Sequence, residues 1–81
     1  MSRYFFDHSD TTFTADVDGA ELGSLPEARR AAFEVLCGLM KGRSDEFWSS
    51  DEWEVQCRDA RGLRLFTLTV LANDAPAIRQ C

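Results

Sequence analysis

The stretch that decides the fold runs from Trp53 to Leu71 and reads W-E-V-Q-C-R-D-A-R-G-L-R-L-F-T-L-T-V-L. Its first part alternates, with Trp53, Val55 and Cys57 on one side and Glu54, Gln56 and Arg58 on the other, the period of a half-exposed strand. Asp59-Ala60-Arg61-Gly62 is turn chemistry. Leu63 to Leu71 then reads as a strand apolar on both sides. Leu63, Leu65 and Leu71 share one face with Thr67 and Thr69, and Phe66, Leu68 and Val70 take the other. Such a hairpin belongs to a sheet that needs more cover than a single helix supplies.

Upstream, Arg3 to His8 (R-Y-F-F-D-H) reads as another strand with two apolar faces, because aromatic residues pack well on a pleated surface. S-D-T-T at 9–12 is a turn, and Thr12 to Val17 is expected to return as a second strand, the hairpin ending near Asp18-Gly19. Ser24 and Glu27 have the S-x-x-E spacing of a capping box, and Pro26 falls in the first turn, where its missing N–H costs nothing. A helix therefore starts here. Leu25, Ala28, Ala32, Val35, Leu36 and Leu39 form its apolar stripe, with Glu27, Arg30, Glu34 and Lys41 opposite and Gly42 as the stop.

Residues 44–52 (S-D-E-F-W-S-S-D-E) read as an acidic connection carrying two aromatics, Phe47 and Trp48. Either these tuck back over the core, the preferred reading, or they anchor a partner. Asn73-Asp74-Ala75-Pro76 ends the last strand and leaves a short tail forming a turn of helix. The sum is one α+β domain over residues 1–81, ββαββ, with a mostly antiparallel four-stranded sheet and one main helix on one face.

These elements resemble, in order and spacing, a family of short uncharacterised bacterial proteins catalogued as a domain of unknown function. The residues that carry the likeness are R-Y-F-F at Arg3–Phe6, D-V-D-G-A-E-L at Asp16–Leu22, the alanines Ala28 to Ala32, and Trp53 onward through Asp59 and Gly62. Members carry a His directly after R-Y-F-F. Here Asp7 stands in that place and His8 follows, so no role is carried over to His8. The resemblance implies a fold and supplies no activity.

Composition narrows the function classes. With 44% hydrophobic and 28% charged residues the chain is of the globular type. Net charge is -5, with the acids concentrated on either side of the helix. A nucleic-acid binder usually shows a concentrated basic face, so polyanion binding is disfavoured. No stretch approaches the roughly 20 apolar residues of a membrane span, and the start lacks the pattern of a signal peptide. A cytoplasmic protein is expected. Cys37, Cys57 and Cys81 form no close pair and read as reduced thiols.

Chemical motifs are sparse. D-H-S-D at Asp7–Asp10 offers no compact ligand set, since Asp7 and His8 point to opposite sides of a strand. D-V-D-G fails as a calcium loop, with Thr14 and Leu25 at the two end positions, and reads as a turn. Cys57 is expected to be an inert core thiol, and Cys37 and Cys81 to be exposed and unassisted. Arg58, Arg61 and Arg64 read as a solvated hairpin tip. The sequence predicts no enzyme, no metal and no cofactor.

The function expected is a non-catalytic protein-interaction module that self-associates, a homodimer or a complex with another protein, the sheet face away from the helix being buried against the partner. Its candidate interface comprises Tyr4, Phe5, Phe6, Phe47, Trp48, Phe66, Leu68 and Val70. The alternative is a small nucleic-acid-binding or antitoxin-like regulator, which rests on fold analogy.

Overall fold

The structure is a computed structural model that describes residues 1–79. Its elements are β1 (Ser2–Ser9), β2 (Phe13–Thr14), β3 (Ala20–Leu22), α1 (Leu25–Met40), α2 (Ser44–Ser50), β4 (Glu52–Asp59), β5 (Arg64–Leu71) and α3 (Pro76–Arg79). The strands form one antiparallel sheet. β1 and β4 are its centre and β5 is one edge, while β2 and β3 share the other edge by pairing with opposite ends of β1. The class is α+β as expected, with two departures from ββαββ.

The first departure is the expected second strand. Only Phe13–Thr14 pair with β1, opposite Ser9 and His8, and Ala20–Leu22 pair separately with Ser2–Tyr4. Residues 15–19 leave the sheet between them. The second is residues 44–50, which form a helix where the sequence reads as an acidic connection. Phe47 is buried there, its ring meeting Trp53 edge-on at 5.5 Å and 88°. Trp53 is fully buried, its Nε1 donates to Ser50 Oγ at 2.6 Å, and the Arg43 guanidinium lies 4.5 Å over its ring. The docking of α2 on the start of β4 stabilises a short helix whose local sequence favours turns.

α1 begins where its cap dictates. Ser24 Oγ accepts from Glu27 N at 3.3 Å, while the Glu27 carboxylate accepts from Gly23 N, one residue earlier than the reciprocal bond of a capping box. Gly42 takes φ +73° just past the C-cap at Lys41. Ala28, Ala32 and Leu36 are buried against Phe6, Val55 and Cys57, and these six residues are the centre of the core. Small alanines let the helix backbone lie close to the sheet. α1 packs over β4, β1 and β3.

Register assigns the sheet faces. Tyr4, Phe6 and His8 lie on the helix side with Cys57 and Val55, and Trp53, Val55 and Cys57 stand opposite Val70, Leu68 and Phe66. The other side carries Phe5, Asp7, Glu54, Gln56, Arg58, Thr67, Thr69 and Leu71. An irregularity at Cys57/Arg58 shifts the ladder at the start of β5.

Candidate functional site

The most organised polar site grows from the gap on the edge of β1. Between the stretches held by β3 and β2, Phe6 has no strand beside it on this edge, the one opposite β4, and its N–H donates instead to Asp16 Oδ2 at 3.1 Å. The other oxygen of Asp16 accepts from Asp18 N and Gly19 N, both at 3.1 Å. D-V-D-G is therefore an anion-centred turn that replaces a missing strand. Burial raises the Asp16 pKa, but bonds from Gly19, Phe6 and Asp18 N–H outweigh it and, with the Arg58 charge, hold the carboxyl below its ordinary value.

Asp7 ties this turn to the sheet. It is buried, its Oδ1 accepts from Asp16 N at 2.9 Å and its Oδ2 from Arg58 Nε at 2.8 Å. Arg58 Nη2 also donates to Asp16 O at 2.9 Å, and its guanidinium lies 4.5 Å over the Phe5 ring. Arg58 is thus half-buried in a network, a correction to the reading that placed it at a solvated tip. Sequence reasoning missed the pair because Asp7 and Arg58 are 51 residues apart. The one available signal was a charged residue, Asp7, directly after an aromatic run.

Beside the turn lies an open cleft of about 480 Å³, walled by Phe6, His8, Thr14, Val17, Ala20 and Val35 among others. His8 Nδ1 is buried there without a hydrogen-bond partner among the described residues. Of the carboxylates at this end of the turn, Asp7 and Asp16 each accept bonds on both oxygens. No group of three or more His, Cys, Asp or Glu placed to hold a metal occurs among the described residues. Cys57 is fully buried, and burial, followed by the charges of Asp7 and Asp59, pushes its thiol up to about 11. Cys37 is exposed, and Cys81 lies outside the described residues.

The eight candidate interface residues do not share one surface, and the expected interface on the sheet face away from the helix is corrected, since only Phe5 among them lies there. Tyr4, Phe6, Phe66, Leu68 and Val70 are on the helix side and pack against the core, whereas Phe5 is on the opposite side, half-buried under Arg58. Phe47 is buried between α2 and β4. Trp48 is 57% exposed. The aromatic pair therefore divides between the two readings offered for it: Phe47 covers the core and Trp48 faces solvent. What remains open is β5. α1 does not reach across it, so Phe66, Leu68 and Val70 are only half-buried, and Leu65 and Leu71 are exposed on the other side. Ile78 on α3 is 62% exposed and does not cover them.

No helix among the described residues is long and apolar enough to cross a membrane. Neither the curated proteins nor the solved structures contain a match to this chain. A family model described as Domain of unknown function (DUF6894) matches residues 3–72, from β1 to the end of β5, and the chain belongs to that family.

Proposed function

We propose that the protein is a non-catalytic interaction module that self-associates through its sheet as a homodimer. The observation that carries this reading is the outer edge of β5, which has no strand beside it among the described residues. A free edge exposes a row of unpaired N–H and C=O groups, and proteins that stay single blunt it with charge, proline, a bulge or cover. The irregularity and the one charge of β5 are both confined to its start at Arg64. From Leu65 to Leu71, β5 has no charged residue and no proline, and on the side away from the helix its only polar groups are the hydroxyls of Thr67 and Thr69. Its helix side adds the half-buried Phe66, Leu68 and Val70.

Polyanion binding has less support. Arg58 is taken up by Asp7, Arg43 by Asp10 and Glu46, and Arg3 by Glu21. Arg29, Arg30 and Lys41 belong to α1 and its end, and Arg61 and Arg64 to the β4–β5 turn and the start of β5, so these other bases are divided between separate places in a chain of net charge -5. Light scattering at micromolar concentration tests the proposal. The expected mass is twice that of the 9.2 kDa chain. A monomer that persists up to high micromolar concentration would remove it.

A further inference from the structure

The half-open strand also says which surface would meet it. Resting on the self-association reading above, we infer that the partner of β5 is the β5 of a second copy, running antiparallel about a two-fold axis at Leu68 to join both sheets into one.

The warrant is a chemical palindrome. Leu65-Phe66-Thr67-Leu68-Thr69-Val70-Leu71 reads much the same in both directions from Leu68: Thr67 matches Thr69, Phe66 matches Val70 and Leu65 matches Leu71. An isologous contact needs this self-complementarity, because every residue meets the same strand in reverse. Directly opposed residues of an antiparallel pair point to the same side. For both α1 helices to lie on one side of the joined sheet, the axis must pass through a residue and not between two.

Among such registers the one at Leu68 matches like with like. It sets threonine against threonine on the exposed side and an aromatic against a β-branched residue on the helix side, both favourable cross-strand pairs. Phe66 and Val70, half-buried in one copy, would complete each other's cover. Moving the axis to Thr67 opposes Leu65 to Thr69 and Arg64 to Val70. Moving it to Thr69 opposes Thr67 to Leu71 and Leu65 to Asn73. Both mix apolar with polar partners. Arg64, the only charge in β5, lies opposite Ala72 at the margin of the Leu68 register, so no like charges meet.

The test uses the full chain with Cys37→Ser and Cys81→Ser, leaving the buried Cys57. Thr67→Cys and Thr69→Cys versions, both at exposed positions, are mixed in equal amounts and gently oxidised. Opposed Cβ atoms stand about 4.5–5.5 Å apart and diagonal positions about 7–8 Å, beyond disulfide reach. The 67-to-69 dimer should exceed either like-with-like dimer by about tenfold. Dominant 67-to-67 or 69-to-69 dimer overturns the axis at Leu68. A dimer by light scattering without any of these cross-links overturns the β5 pairing and leaves self-association standing, whereas a monomer removes both. In the unmodified chain, amide exchange should slow with concentration within Leu65–Leu71, and concentration-dependent protection found only elsewhere would overturn the inference.

Discussion

Asp16 stands in for a strand. Its carboxylate takes the N–H of Phe6 that no neighbour pairs, along with those of Asp18 and Gly19, so Asp16→Ala should cost on the order of 2–3 kcal/mol in urea unfolding. Because its folded pKa lies below the ordinary 3.8, its contribution is fully present above that value and is lost as pH falls through the lowered one. Asp16→Asn should flatten the fall in stability below about pH 4. Asp10, lowered mainly by the Thr12 N–H and then by Arg43, retains its share of the slope in that variant. Gly19 is required beside it: at φ +69° an added Cβ would lie 2.8 Å from Tyr4 O and 2.9 Å from the Phe5 ring. Gly19→Ala should therefore destabilise by about 2 kcal/mol or more, read as a lower unfolding midpoint. The sequence showed a turn at D-V-D-G. That its carboxylate would serve a distant strand depended on β1 being paired in two separate pieces.

Among the elements, α1 was legible because its signals are local. A cap, a proline in the first turn, an apolar stripe and a terminal glycine lie within 20 residues, and Ser24→Ala should cost about 1 kcal/mol in thermal or urea unfolding. β4 and β5 were legible for the same reason, as period-two alternation on either side of Gly62. α2 was not. Its seven residues hold three serines and carry no side-chain cap, and the helix persists because Phe47 seats against Trp53 while Arg43 links Asp10 and Glu46. Phe47→Ala should therefore cost about 3 kcal/mol and expose Trp53, measured as a red shift of its fluorescence. The expected strand over Thr12–Val17 failed for a related reason. Its residues suit a strand, but Asp7 and Arg58 draw the chain out of the sheet at Asp16.

At the scale of the whole molecule the sheet is covered unevenly. α1 serves β1, β3 and β4, leaving β5 as a long open edge. The chain measures 52 × 21 × 20 Å with a radius of gyration of 14.7 Å, against about 12 Å for a compact domain of this length. Thr69→Lys places a charge on the exposed side of the open strand, away from the core, in the manner by which natural edges are blunted. It should yield a 9.2 kDa monomer by light scattering with an unchanged circular dichroism spectrum. The parent chain at the same concentration should be dimeric.

What the sequence determined by itself was every property that depends on near neighbours. These were the start and stop of α1, the alternation of β4, the two apolar sides of β5 and the turn at Asp18-Gly19. What the tertiary structure decided was where those surfaces went. Phe5 and Phe6 were equally apolar on paper, yet one lies under Arg58 and the other in the core, because neighbouring strand residues face opposite sides. Phe47 and Trp48 were equally placed in one acidic segment, yet α2 turns the first onto Trp53 and the second to solvent. The strand order made the same decision for β5, since a two-sided apolar strand at the centre would be buried and at the edge has one side of its backbone left to pair. Local periodicity is set by backbone geometry, whereas burial depends on which distant segments meet, and that information is spread over the entire chain.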